Sequence, residues 1–529
     1  MSIETDRADD ENTSVGGVLL SGTTWMTVAN VIARISTFVA NLIVIRILGL
    51  QLLGQLGLIE SWLSLAGIFS GFGLASASTR FVARYLNDDL VRTGEYAGAS
   101  MLLSGAFTAA VCGAVLVGLH SIPTRQTIQA DEGLIASTLI LLRDNSLLVV
   151  GLLFVTTLND VGVGILQGLH QFKSLIYINL VAGLLSIPLY FVLTRSFGIS
   201  GILAARFLLL VTQVMIAVAI SQFALRRLGT SFRTRNIVST SRSLVSFAVP
   251  TFVSQLIANP ARTLMTTYLA SMAGGAIQVG LLTTAGRLLG LANFLPGSMG
   301  SVILPVLSGV WGKGESKAFQ QAVLYSSRMI WFISLPGIIF FIAATPVLLG
   351  GLYGLEFTAA AAVTILMLVN TLLTTINDTG VRVLAAANRQ WLMVAMVAGS
   401  MIISIATSFW AIPSLQAIGY VLALLISTMA FLTALLVVFY KFYAVRISQL
   451  LAILGLSVPL LAFAVLIARV SIGWLQLVLA GAATVLTLLI MWYGMMSGRE
   501  RQAFRRYGVS LIARLRQVIN GQKGAQTVS

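Results

Sequence analysis

Apolar residues recur along this chain in blocks of about 20, the length that crosses a hydrocarbon core of ~30 Å. Charge is scarce between and within the blocks: 57% of the residues are hydrophobic and 9% charged. A soluble protein carries about 25% charged residues, so a chain this long cannot build a water-facing surface from what is present. The class is a polytopic all-α membrane protein.

Spans are expected near 23–45, 55–77, 97–119, 146–168, 174–194, 201–224, 244–269, 279–303, 327–350, 358–380, 391–412, 418–440, 449–470 and 473–495, about fourteen in all by length. Basic residues near span ends prefer the cytoplasm. With the N-terminus inside, 24 of the 33 Lys and Arg fall on inner segments, 5 on outer segments and 4 within spans. No inversion of the bias appears along the chain, so both termini are expected to be cytoplasmic. Met1–Ser14 is acidic and lacks the pattern of a cleavable leader. The basic loop 226–242 reads as a topology determinant. In the tail, Phe504, Tyr507, Leu511, Leu515 and Val518 recur at helical spacing among Arg501, Arg505, Arg506, Arg514 and Arg516, an amphipathic helix suited to anionic membrane lipids. Such placement accounts for the net charge of +16 without nucleic acid.

Enzyme classes find little support. The lone Cys112 excludes disulfides, and His120 and His170 lie far apart with no ligand spacing. No acid–base or nucleophilic constellation is visible, no metal or other cofactor is implied, and the longest outer loop, about 120–145, is too short for a catalytic fold.

The chain also repeats itself. Asn159, Asp160, Gly162, Val163 and Leu166 recur as Asn377, Asp378, Gly380, Val381 and Leu384, each 218 residues later. The same offset pairs Ser186 with Ser404 and Gly201 with Gly419, and at nearly the same offset Asn30 and Arg34 meet Asn259 and Arg262. Six spans, an even number, separate the copies, so they are parallel repeats, an arrangement known among transporters. The expected organisation is a cytoplasmic segment 1–22, a six-helix bundle 23–224, a basic linker 225–243, a second six-helix bundle 244–440, two additional spans 441–495 and a basic amphipathic tail 496–529.

Arg34, Arg206, Arg262 and Arg287 fall within spans. Each costs about 2.5–3.5 kcal/mol at mid-bilayer on insertion scales, so each needs a partner or water. Arg206 is close enough to its outer span end to snorkel. In the first span Thr23, Thr27, Asn30, Arg34, Thr37 and Asn41 form a polar stripe, and Gln255, Asn259, Arg262 and Thr266 repeat it in the seventh. A polar helix seam and a hydrated cationic cavity both fit the stripes. The cavity suits an anion, because forked guanidinium donors match phosphate oxygens; the candidate substrate contacts are Arg34, Arg262, Arg287, Asn30, Thr37, Asn41, Gln255, Asn259 and Thr266. Glu60, on a face with Ser64, Gly67 and Gly71, and the repeated Asp160 and Asp378 are candidate ion-coupling groups. A structural partner for a nearby arginine is the other reading of Glu60, and capping or bracing of inner helix ends that of the two aspartates. Pro250, Pro260, Pro296 and Pro336 are expected to break or bend spans seven to nine.

At RILGLQLLGQLG (46–57), GFGLASASTRFVARY (71–85), ILQGLHQF (165–172) and SFAVPTFVSQL (246–256) the chain resembles polysaccharide-biosynthesis flippases (the Wzx type) of the multidrug/oligosaccharidyl-lipid/polysaccharide exporter superfamily. The resemblance implies two six-helix bundles forming a V, alternating access to a cationic central cavity, and a plasma (inner) membrane location. It implies as substrate an undecaprenyl-diphosphate-linked oligosaccharide, a unit of O-antigen, capsule or exopolysaccharide, and as partners other polysaccharide assembly proteins. It also makes Arg34 and Arg262, and after them Arg287, the expected diphosphate contacts. The alternatives are a cation-coupled efflux antiporter and a lipid II flippase. Ile35 follows Arg34 where the lipid II flippase pattern has an acidic residue.

Overall fold

The computed structural model describes residues 3–86, 88–122, 133–233, 237–293, 316–387, 389–443, 447–470, 473–494 and 501. Pro296 and the expected tail helix from Phe504 to Val518 lie outside them. The described chain is helical, without strands: α1 (Ile3–Gly71), α2 (Leu74–Tyr85), α3 (Leu90–His120), α4 (Leu134–Asp144), α5 (Ser146–Gly168), α6 (Phe172–Arg227), α7 (Ile237–Ala270), α8 (Gly275–Ala292), α9 (Ser316–Leu348), α10 (Ala361–Ala386), α11 (Gln390–Tyr443), α12 (Ile447–Arg469) and α13 (Trp474–Gly494). A π turn (Leu349–Tyr353) and a 3-10 turn (Leu355–Ala360) join α9 to α10. Ten helical segments among the described residues are long and apolar enough to span a membrane, and Leu454–Arg469 is a shorter apolar helix. Large apolar side chains on their outer faces, among them Val117, Leu147 and Trp410, are exposed, as lipid contact requires.

Three helices are too long for one crossing. At ~1.5 Å per residue, the 56 residues of α6 would run about 80 Å if straight, against a core of ~30 Å. Each of the three has a non-helical residue between two arms: Gly49 in α1, Gly198 in α6 and Gln416 in α11. These breaks fall in the short connections expected between the first and second, fifth and sixth, and eleventh and twelfth spans.

The breaks also show the duplication in the backbone. Gly198 and Gln416 are 218 residues apart, and both have left-handed φ, +56° and +50°. Beyond each break the returning arm passes so near the outgoing one that a Cβ on Gly201 would collide with the Leu193 carbonyl, and one on Gly419 with the Ala411 carbonyl. Gly162 faces Ala217 and Gly380 faces Leu435, again the same contact at the same offset.

The chain divides into two compact units. One comprises Met1–Leu291, Leu348–Asn370 and Ala387–Ala434, the other Ala292–Val347, Thr371–Ala386 and Leu435–Ser529. In the first unit the second arm of α1 is the organising element. It runs antiparallel to α7, as the contacts Trp62–Thr267, Ser61–Thr263, Phe72–Phe252 and Gly73–Ala248 show. It runs parallel to α8, with Gly54 and Gly57 placed where any Cβ would collide with Ala276 and Thr283, and Gly280 likewise against Leu50. Arg46, at the end of the first arm, donates from Nε to the Leu352 carbonyl (2.6 Å) and from Nη2 to that of Gly351 (2.8 Å), fastening the α1 bend to the π turn.

Local detail departs from the expected spans. The second span ends at Gly71, not residue 77, because Phe72 and Gly73 both adopt positive φ (44° and 70°). The amphipathic α2 that follows buries Leu74, Ala77, Phe81 and Val82 in a cluster with α3, α5 and α7. The outer loop carries a helix of its own, α4. Pro250 and Pro260 sit inside α7, which continues through both.

In the second unit, Trp331 of α9 is buried and donates from Nε1 to Ser457 Oγ of α12 at 2.7 Å. Gln476 of α13 is buried too, its Nε2 donating to the carbonyl of Ala343 (2.9 Å) and to those of Ile467 and Ala468 (3.3 Å each). These bonds tie the two additional helices to α9.

The near contacts at the breaks yield a paired expectation. Gly201→Ala and Gly419→Ala each destabilise the purified protein by at least ~1–3 kcal/mol, the scale of overpacking. Gly113→Ala, where a Cβ meets open space, does not. Thermal unfolding in one detergent compares the three.

Candidate functional site

The carboxylate of Glu60 is the centre of the site. It lies on the second arm of α1, eleven residues past the Gly49 break. Arg287 of α8 donates from Nη2 to its Oε1 at 2.7 Å and its Oε2 at 2.8 Å, and Arg206 of α6 donates from Nη1 to Oε1 at 3.3 Å. The parallel packing of α1 on α8 through Gly54, Gly57 and Gly280 brings the backbones close enough for this. The Glu60 side chain is 29% exposed and that of Arg287 25%, whereas Arg206 is 43% exposed. Arg287 is thus the inner, committed partner. Tyr190 and Tyr353 lie within electrostatic range of it. The triad carries a net charge of +1.

One face of the same arm opens onto a cavity of about 490 Å³ lined by Glu60, Ser64, Gly67, Gly71, Thr156, Asp160, Arg206, Thr251, Phe252 and Gln255, among others. The face Glu60–Ser64–Gly67–Gly71 singled out in the sequence forms one wall. A Cβ on Gly67 or Gly71 would meet nothing within 4 Å, so two missing side chains contribute to the space. Asp160 enters from α5 two turns before that helix ends; it makes no capping hydrogen bond among the described residues, and Arg206 is the charged group that acts on it. Phe72 and Phe252 stack at 4.2 Å on the same lining.

Of the residues the sequence proposed, Glu60, Asp160 and Gln255 meet in this cavity, and Arg287 reaches it through Glu60. The lining does not include Arg34, Arg262, Thr37, Asn41, Asn259 or Thr266. Arg34 is exposed on the first arm of α1, next to Ala33, whose carbonyl lies against Gly183 of α6. Thr37 donates to Ala33 O (2.9 Å) and Asn41 to Thr37 O (2.9 Å), so both satisfy themselves along the helix. The side chains of Thr23, Thr27 and Asn30 lie outside those described. Arg262 is exposed beside Thr263 and makes no ion pair among the described residues. Asn259 Nδ2 donates to Gln255 Oε1 (2.7 Å), and Thr266 donates to Arg262 O (3.0 Å). Asp378 is exposed on α10, in the second unit.

The sequence leaves Arg206 free to snorkel and offers Glu60 as a structural partner for a nearby arginine; the structure gives Glu60 that part, with Arg206 and Arg287. No local signal reveals the pair, since Glu60 and its two arginines are 146 and 227 residues apart.

A family profile described as polysaccharide biosynthesis protein matches residues 19–311. Among curated protein sequences there is no significant match. Among solved structures, the lipid II flippase MurJ in an inward closed conformation covers 88% of this chain and 98% of its own, with a TM-score of 0.66 at 14% identity. An inward-facing multidrug resistance transporter of the MATE family, in the MOP superfamily, covers 78% and 98%, with a TM-score of 0.63 at 17% identity. A MOP superfamily transporter from Pyrococcus furiosus covers 78% and 96%, at 0.57 and 17%. At these identities the likenesses establish a shared fold.

Removing one member of a fully buried ion pair costs about 3–5 kcal/mol and less where water or a second partner remains, while replacing all its charges by apolar or neutral groups of similar volume is near neutral. Arg287→Ala is therefore expected to lower the thermal stability of the purified protein sharply. Glu60→Gln combined with Arg206→Met and Arg287→Met, which removes every charge of the triad, restores most of it, and a triple variant no more stable than Arg287→Ala contradicts the assignment.

Proposed function

The chain belongs to the family of polysaccharide biosynthesis proteins, and on that premise we propose that it flips a polyprenyl-diphosphate-linked oligosaccharide across the plasma membrane. The observation that carries the reading is the extent of the family match. Residues 19–311 include all four intramembrane arginines and the whole cavity lining. A multi-pass transporter fold supports it, with no catalytic step required of the chain.

In this reading the membrane arginines divide the work. Arg287 and Arg206 are engaged with Glu60 and brace the site. Arg262 and Arg34, both exposed on stripes that recur in the two halves, are assigned to the diphosphate, where a permanent guanidinium charge matches phosphate oxygens. The six-span halves, 23–224 and 244–440, are the bodies that alternate access, and both termini stay cytoplasmic, as the basic bias demands. Undecaprenyl diphosphate is the carrier the family resemblance implies.

A second reading, small-molecule efflux coupled to a cation, has one observation in its favour: two carboxylates, Glu60 and Asp160, line one cavity. Glu60 is already neutralised by two arginines, which leaves Asp160 to carry that reading alone.

Cells lacking the chain are expected to lose surface polysaccharide and to accumulate the lipid-linked glycan. The variant Arg34→Ala/Arg262→Ala, inserted at normal level, restores less than about a tenth of the export that the unaltered chain restores, the factor expected when charge-assisted phosphate contacts worth ~1.5–3 kcal/mol are lost. Normal surface polysaccharide in the double variant contradicts the diphosphate assignment.

A further inference from the structure

The cavity below Glu60 has a lining whose chemistry the flippase reading does not by itself use. We propose that it is a sugar subsite: it holds one hydroxyl-rich sugar ring of the cargo while the arginines outside it hold the diphosphate. The inference rests on the proposed function and deepens it.

Size comes first. At about 490 Å³ the cavity falls within the ~300–1,000 Å³ typical of small-ligand sites, too small for a whole oligosaccharide with its carrier and roomy for a ring. Charge comes second. Glu60 and Asp160 offset Arg206 and Arg287, so the site is formally neutral and offers nothing net to a diphosphate or to a free cation.

Unused hydrogen-bonding capacity decides the class. Serine and threonine hydroxyls in these helices are mostly spent on the carbonyl three or four residues back, as in Thr157 and Ser76. Ser64, Thr156 and Thr251 on the cavity lining make no such bond among the described residues. Gln255 uses its Oε1 to accept from Asn259 and leaves its amide donors unspent. Asp160 has no hydrogen bond or ion pair among the described residues, and Arg206 uses one Nη1 donor on Glu60. A ring of hydroxyls, each both donor and acceptor, is the ligand that answers hydroxyls, a carboxylate and spare N–H donors together. The apolar CH edge of such a ring has the stacked Phe72 and Phe252 to lie against.

Gly67 and Gly71 supply the test, because a side chain at either enters open space instead of backbone. The probes are the lipid-linked glycan that accumulates in cells lacking the chain, and undecaprenyl diphosphate itself, which carries no glycan. Binding is measured to the full chain in lipid nanodiscs. The unaltered protein is expected to bind the glycosylated probe at least about tenfold more tightly than the bare carrier, a factor equal to ~1.4 kcal/mol. Gly67→Leu and the near-isosteric Asp160→Asn bring that ratio to within about twofold and leave binding of the bare carrier intact. Gly113→Leu, which adds the same bulk to α3 outside the cavity, keeps the ratio. Equal binding of both probes by the unaltered chain overturns the subsite and leaves the flippase reading standing. So does a ratio that survives either cavity variant, or a cavity variant that loses both probes at once. Failure of any lipid-linked glycan to accumulate instead removes the flippase reading itself, and the subsite with it.

Discussion

A carboxylate held between two guanidinium groups inside a membrane fold organises the first unit of this protein. Any one of Glu60, Arg206 and Arg287 alone would be an uncompensated charge in a helix built for hydrocarbon. Together they satisfy one another, and because they come from α1, α6 and α8 they fix three helices with a single cluster. The arrangement demands close backbones. Gly54, Gly57 and Gly280 provide them by leaving no side chain between α1 and α8, and the hydroxyl and indole contacts of Ser61 and Trp62 with α7 hold the other side of the same arm.

The cavity follows from this geometry. The arm that presents Glu60 also presents Ser64, Gly67 and Gly71 at helical spacing, so one face carries charge, a hydroxyl and then two gaps. The opposite wall comes from α5 and α7. Charge compensation at Glu60 and missing side chains at Gly67 and Gly71 give a pocket of mixed polar and apolar lining that is not strongly charged, which separates it from the exposed arginines of the stripes. In the proposed reading, the two kinds of surface divide between the two parts of a phosphate-bearing glycolipid.

Much of the fold was legible in the sequence because hydropathy and helix breaks are local properties. The blocks of about 20 apolar residues became membrane-length helices, and the short gaps at 45–55, 194–201 and 412–418 became the breaks at Gly49, Gly198 and Gln416. The repeat was legible from Asn159–Leu166 and Asn377–Leu384, and its geometric echo at Gly201 and Gly419 required no further information. The end of the second span was misplaced because apolar residues continue past Gly71, and only the left-handed turn at Phe72 and Gly73 separates α2. The partners of Glu60 were illegible for a different reason. Hydropathy reports the depth of Arg206 and Arg287, but it carries no information about which way a helix is rotated or which neighbour it meets.

The two open glycines have a bearing on how such a protein diversifies. Most core positions of a packed bundle resist change, since new volume must displace something. Gly67 and Gly71 border empty space, so point mutations there alter the dimensions of the chamber while sparing the scaffold. If the chamber holds a sugar of the cargo, as proposed, it can follow a changing cargo one residue at a time, with the membrane architecture kept unaltered.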